Sequence, residues 1–280
     1  MKTAAELAAE QAAYWNGPGG EGWLAAYQRI QRAIGDIGEV GLAAAAPQHG
    51  EHVIDIGCGT GDTTAALARA VGLAGHVLGV DISESLIAAG RAHRLDNATF
   101  VVGDAATHPF QAGHYDLVFS RFGVMFFADP VAAFRNIRRA LKPAGRLVFI
   151  AWRTPQENPW GTTPVRAAQP FLPPQPRPGP EDPGQFAFGD RARVERILGE
   201  AGFKTLRFEP IDRQIWMGDT VAEVVADAGK FGPLARAFAG AEPAAIEKAK
   251  QAIAEVLAPH QGSEGVRLPG ACWLVSAKPG

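Results

Sequence analysis

Three glycines fall at every second position in Gly57-Cys58-Gly59-Thr60-Gly61, directly after Val53-Ile54-Asp55-Ile56, a largely β-branched run carrying one acid. A run with helical character, residues 63–70, follows, so the stretch predicts strand, tight turn and helix. Such a turn needs glycine where the chain reverses and its backbone must approach a ligand without a Cβ in the way. Two ligand classes compete for the loop. A dinucleotide fingerprint places its third glycine where Asp62 stands, and a carboxylate at that helix start would repel a pyrophosphate. Asp55, at the end of the strand, suits an ammonium. A second acid, Asp81, ends the apolar run Val77-Leu78-Gly79-Val80, about 20 residues past the glycines, where an acid can hold the two hydroxyls of a ribose. The residues together predict a nucleoside with a cationic tail.

Five stretches, in order along the chain, carry a resemblance. Asp55-Ile56-Gly57-Cys58-Gly59-Thr60-Gly61 is similar to the first motif of the class I S-adenosylmethionine-dependent methyltransferases, and Gly79-Val80-Asp81-Ile82-Ser83 to their second. Val101-Val102-Gly103-Asp104-Ala105 resembles the third, Tyr115-Asp116-Leu117-Val118-Phe119-Ser120 the fourth, and Leu141-Lys142-Pro143-Ala144-Gly145-Arg146-Leu147 the turn before the fifth strand. Among the family's members, the chain looks most like the ubiquinone/menaquinone-biosynthesis type and similar small-molecule methyltransferases.

The resemblance implies S-adenosyl-L-methionine as cofactor, with S-adenosyl-L-homocysteine as product, and direct displacement at the methyl carbon. It also implies roles. Gly57, Gly59, Thr60 and Gly61 shape the loop, and Asp55 faces the methionine amine directly or through water. Asp81 holds the ribose, Ile82 packs on the adenine ring, and Asp104 and the Ala105 backbone address the adenine edge. Ser120 and Arg121 end the fourth strand, where the methyl should sit. Arg121 could orient an anionic substrate or pair with a cap acid, and His108 could serve as base or be a surface residue. N-terminal helices that cover the cofactor in the family would bring Trp15 or Trp23 near the site; both also read as packing residues. A nicotinamide-dependent oxidoreductase on a similar sheet, and a nucleoside-binding scaffold without turnover, are the competing readings.

The whole-chain numbers fit a globular enzyme: 280 residues, 47% hydrophobic, formal net charge -2. That charge gives no reason to expect nucleic acid or an anionic membrane as partner. Cys58 and Cys272 are far apart in sequence and suggest neither a disulfide framework nor a metal site. Residues 1–14 lack a basic stretch followed by an apolar core, and no segment is apolar over the length of a bilayer, so the expected compartment is the cytoplasm. The expected partner is a small-molecule methyl acceptor. The sequence does not give an oligomeric state.

The elements that must position these residues alternate between strand and helix, which predicts an α/β, Rossmann-like fold: seven strands, mostly parallel, with helices on both faces. Residues 1–50 form an N-terminal helical segment, read as two helices separated by the breaker cluster Asn16-Gly17-Pro18-Gly19-Gly20. A cofactor-binding core spans 51–153. Residues 154–189 form a proline-rich insertion or lid with Pro170, Pro173, Pro174, Pro176, Pro178, Pro180 and Pro183. The core continues over 190–218, a helical cap insertion spans 219–265 between the last two strands, and 266–280 is the last core strand. Trp160, Phe171, Phe186, Phe188, Val224, Val225, Phe231, Leu234 and Phe238 are expected on inward faces of these additions, where they would enclose an apolar pocket or pack cap helices together.

Overall fold

The computed structural model describes residues 2–174, 179, 181–230 and 232–280. Eight strands form one sheet: β1 His52–Ile56, β2 His76–Asp81, β3 Ala98–Val102, β4 Tyr115–Arg121, β5 Leu141–Trp152, β6 Phe203–Gly218, β7 Gln261–Gly262 and β8 Gly265–Pro279. Their order is β3-β2-β1-β4-β5-β8-β6, with the two-residue β7 added beside β8. The five strands β1 to β5 run parallel and β8 runs antiparallel between β5 and β6. The order reverses between β1 and β4, the crevice where open α/β sheets bind ligands beyond their carboxyl ends.

The sheet is covered by α3 Tyr27–Ala45, α4 Asp62–Val71, α5 Glu84–Arg91, α6 Pro130–Ala140 and α8 Arg191–Glu200. Local chemistry starts these helices where the sequence predicts. The Asp129 carboxylate accepts from the Ala132 amide at 2.9 Å with Pro130 in the first turn of α6, and Asp190 accepts from Ala192 at 2.9 Å at the head of α8. Buried Phe134, Ile137 and Phe149 make the core between α6 and the sheet, while Phe119 and Ile150 face Gly41 of α3 on the other side.

The structure corrects the sequence reading at four places. The eighth strand is β7. The chain breaks at Asn16-Gly17 as expected, but Pro18, Gly19 and Gly20 belong to a separate helix, α2 Pro18–Ala25, after α1 Ala4–Trp15. The reason is packing: a Cβ on Gly19 would stand 2.5 Å from the Tyr14 ring, and one on Gly20 would stand 2.3 Å from the Trp15 carbonyl oxygen. The proline-rich insertion opens with α7 Pro159–Ala168, which holds Pro164 inside it. Pro176, Pro178 and Pro180 lie outside the described residues. Finally, β6 and β8 are far longer than the apolar runs imply, pairing from Phe203↔Pro279 to Gly218↔Val266. Pro210 sits in β6, the edge strand, where its missing donor costs no ladder bond.

The last half of that ladder leaves the sheet, because β5 pairs with β8 only over Cys272 to Ala277. The projecting ribbon carries the cap: α9 Val221–Asp227, α10 Gly232–Ala239 and α11 Pro243–Leu257. Val224, Leu234, Phe238, Ile253 and Leu257 form its own small core, against which α7 also packs. Fully buried Asn158 ties α7 to the ribbon, donating to the Ala271 carbonyl at 3.1 Å and accepting from the Ala271 amide at 2.9 Å. On the other side α3 grips the cap: the Arg32 guanidinium lies 3.8 Å from the Trp216 ring centroid and 2.8 Å from the Asp219 carboxylate, and Arg29 bonds Asp227 and the Met217 carbonyl. Among the described residues no helix is long and apolar enough to cross a membrane.

Candidate functional site

One cavity of about 1710 Å³ opens over the carboxyl ends of β1, β2 and β4. Its floor is the glycine loop, where Gly57, Gly59 and Gly61 have φ of 65°, 54° and 84°, the left-handed region that favours glycine. They serve different ends. A Cβ on Gly57 would meet the Gly123 Cα at 2.6 Å, and one on Gly61 would meet the Phe100 ring at 2.8 Å. Gly59 lines the cavity, and a Cβ there would meet nothing within 4 Å.

Asp81 stands on the same wall. Its two carboxylate oxygens accept from the amides of Gly59 and Ser83, both at 2.9 Å, so the acid is held at the end of β2 with its remaining lone pairs open to a ligand. Burial pushes its pKa up, against the pull of these amide bonds. Ile82, Asp104, Ala105, Arg121 and Trp15 share the wall. Asp104 is oriented by the Ala106 amide at 2.8 Å. Trp15, at the end of α1, meets Phe126 edge to face at 5.1 Å. Asn16 latches this helix to the second loop, donating to the Ile82 carbonyl at 3.0 Å and accepting from the Glu84 amide at 2.9 Å.

Five other residues singled out by the sequence lie off the wall. Thr60 donates its hydroxyl to Asp62 at 2.8 Å. Gly61 faces Phe100 and Gly90. Ser120 is fully buried, donating to the Ile56 carbonyl at 2.8 Å and accepting from the Gly123 amide at 3.2 Å. His108 packs on Phe110 at 4.7 Å, and burial lowers its pKa. Asp55 is fully buried beneath the loop; one oxygen accepts from the hydroxyls of Thr63 and Thr64 at 2.6 and 2.7 Å, and the other has no partner. Burial raises its pKa to about 6, against the two hydroxyls and Arg121.

The sequence reading misses a polar cluster beside the loop. The Tyr27 hydroxyl donates to Asp62 at 2.5 Å, Gln31 donates to the other Asp62 oxygen at 3.1 Å, and Arg121 donates to Gln31 at 3.2 Å. The Asp62 bond and burial push the Tyr27 phenol up to about 12. Asp62 is therefore turned toward α3 and not toward the cavity. Tyr27 and Gln31 sit four residues apart on α3, a spacing that marks one helix face but not its partner.

Beyond the loop the cavity becomes aromatic. Phe122, held at φ 63°, stacks on Trp152 at 4.5 Å with planes 8° apart, and Trp152 meets Trp160 at 4.6 Å. Phe186, Met217, Val224 and Leu234 extend this wall. Of the other residues expected there, Phe188 packs in the main core against Phe134 and Phe149, because the chain returns to the sheet before α8. Phe171 is 39% exposed, and Val225 and Phe238 join the cap core. Phe231 lies outside the described residues.

A strand-ordered α/β sheet, a left-handed glycine loop and an acid at the end of the second strand define a Rossmann-like nucleoside-binding class. Comparison with known proteins narrows it. A family model for the methyltransferase domain matches residues 53–145. The demethylmenaquinone methyltransferase of Staphylococcus saprophyticus is 30% identical over 174 residues, 56% of this chain and 72% of that protein. The ubiquinone/menaquinone biosynthesis C-methyltransferase of Shewanella frigidimarina is 36% identical over 122 residues, 42% of this chain and 49% of that protein, so the match spans about half of it. Phosphoethanolamine N-methyltransferase 2 of Haemonchus contortus, solved with S-adenosyl-L-methionine, shares the fold with a TM-score of 0.53 at 19% identity, over 88% of this chain and 53% of that one. The chain belongs to the S-adenosylmethionine-dependent methyltransferases and among them is similar to the demethylmenaquinone methyltransferases.

The residues present fit the family's cofactor, S-adenosyl-L-methionine. The open space over Gly59 admits a ligand against bare backbone, and the unpartnered oxygen of Asp55 is a buried acceptor that a bound ammonium, or a water between them, would satisfy.

Proposed function

We propose that this protein transfers a methyl group to a small, partly hydrophobic organic acceptor held in the aromatic part of the cavity. The observation that carries this reading is the continuity of one cavity from Asp81 and Gly59 to Trp152 and Trp160. A nucleoside at one end and an apolar acceptor at the other would thus meet within a single enclosure. Bound S-adenosyl-L-methionine supplies an electrophilic methyl on a sulfonium centre.

The protein's share is placement. Asp81 holds the ribose hydroxyls, Ile82 packs on the base with Asp104 and the Ala105 backbone at its edge, and Asp55 compensates the amine charge through its free oxygen. Trp15, latched through Asn16, closes the nucleoside end against water. Ser120 acts at a distance, fixing the end of β4 to β1 and so the spacing of the loops. Phe122, Trp152 and Trp160 present flat apolar faces that orient a planar or hydrophobic acceptor along the displacement axis. Such positioning contributes on the order of several kcal/mol to a two-substrate step. His108 lies off the wall and is given no proton-transfer role.

The test is a thermal-shift panel. S-adenosylhomocysteine should raise the melting temperature, while NAD and NADP should leave it unchanged; stabilisation by NAD alone would refute the reading. Replacing Asp81 by Ala should weaken S-adenosylhomocysteine on the order of 100-fold, about 3 kcal/mol. Because the carboxylate also accepts from Gly59 and Ser83, Asp81→Asn, which keeps an acceptor for one of them, separates lost ligand contact from lost loop geometry.

A further inference from the structure

The cavity wall holds a cation to which no carboxylate is bonded among the described residues. Arg121, at the carboxyl end of β4, lies on the cavity wall, and among the described residues its guanidinium donates to a neutral acceptor, Gln31 Oε1, at 3.2 Å. Arg29, also on the wall, is neutralised by Asp227. The site of Arg121 is built to receive it. Gly38 of α3 faces it, and a Cβ there would stand 3.0 Å from its Cδ and 3.2 Å from Nη1. A half-buried guanidinium bonded to an amide oxygen gains most from a carboxylate, which its planar fork can bind through two parallel bonds.

Its surroundings decide which carboxylate. The acidic groups that act on Arg121 are Asp62 and Asp55, with the Tyr27 phenol; all three flank the glycine loop. The acceptor end of the cavity, by contrast, is Trp152, Trp160 and the cap. The cation therefore sits on the glycine-loop side of the cavity, within electrostatic reach of Asp55.

We propose that Arg121 anchors the carboxylate of the cofactor's amino-acid tail, so that Asp55 and Arg121 together form a site for a zwitterion. The proposal rests on the cofactor reading above and deepens it. Arg121 is then a cofactor-binding residue and not the handle for an anionic acceptor. Gln31, bonded to both Arg121 and Asp62, positions the guanidinium from α3.

The experiment is calorimetry of the wild type, Arg121→Gln and Arg121→Lys with three probes: S-adenosylhomocysteine, its decarboxylated analogue, and 5′-methylthioadenosine, which lacks the whole amino-acid tail. Arg121→Gln should weaken S-adenosylhomocysteine by about 30-fold or more, the scale of one charge-assisted contact. The other two probes should change less than about threefold. Arg121→Lys, which keeps the charge but loses the fork, should fall between and serves if the Gln variant does not fold. Equal weakening of all three probes, or unchanged S-adenosylhomocysteine affinity with a raised acceptor KM, overturns the proposal while leaving the nucleoside site intact. Wild-type protein that binds none of the three overturns the cofactor reading itself and this proposal with it.

Discussion

Gly57 and Gly123 touch backbone to backbone: a Cβ on Gly57 would stand 2.6 Å from the Gly123 Cα, and one on Gly123 would stand 2.8 Å from the Gly57 Cα. The loop after β1 and the loop after β4 can thus close on each other only because both residues are glycine. Ser120 completes the junction by bonding the Ile56 carbonyl and the Gly123 amide.

Two glycine substitutions should consequently behave differently. Gly57→Ala and Gly59→Ala share the strain of a left-handed residue, roughly 1–2 kcal/mol each. Gly57→Ala adds a clash with backbone that cannot move aside, so it should lower the urea midpoint well beyond Gly59→Ala. Gly59→Ala should fold, since its methyl enters open space, yet lose nucleoside affinity by an order of magnitude or more in calorimetry. Equal destabilisation with unimpaired binding by Gly59→Ala would show that the ligand does not lie over this residue.

Asp55 sets a pH dependence. Its pKa is raised from 3.8 unfolded to about 6 folded, so the native state holds its proton more tightly. The associated stability is present below about pH 4 and lost as pH rises through about 6, a change on the order of 3 kcal/mol. Urea unfolding from pH 4 to 8 should show the wild type losing stability relative to Asp55→Asn across that window. Arg121 and Asp81, the charged groups that act on it, are present in both proteins. A ligand bearing an ammonium should stabilise the ionised form, so S-adenosylhomocysteine affinity should climb over the same range in the wild type alone.

The cap should be separable from cofactor binding. Deleting residues 219–265 and joining the flanking strands by a short turn preserves the register Trp216↔Arg267 and removes most of the aromatic pocket's cover. S-adenosylhomocysteine affinity should stay within several-fold while methyl transfer falls below detection. Full transfer without the cap would show that the acceptor lies elsewhere.

The loop, both strand-end acids and the alternation of the core were legible in the sequence because each rests on a local pattern: glycine spacing, a β-branched run, Asp129-Pro130. The Tyr27–Asp62–Gln31–Arg121 cluster was not, since it joins α3, the loop and β4, and the spacing of Tyr27 and Gln31 marks a helix face without naming what that face meets. Gly19 and Gly20 misled for the opposite reason. Glycine's reputation as a breaker is a statement about chain entropy, and here the contacts of Tyr14 and Trp15 demanded small residues inside a helix. Asp62 read correctly as a feature of the helix start, but its charge is spent on α3. Asn158, four bonds deep in the protein, had no sequence signal beyond the proline after it.

The ribbon that bears the cap begins and ends at neighbouring points: a Cβ on Gly265 would lie 2.4 Å from the Gly218 carbonyl oxygen. Whatever chain is inserted between them enters and leaves through one gate, so apart from the contacts of α3 and α7 the sheet below feels the cost of closing a loop. Doubling such a loop adds only about 0.6 kcal/mol. A replacement cap that keeps Asp219 and Asp227 for Arg32 and Arg29 of α3 would leave the glycine loop and Asp81 as they stand.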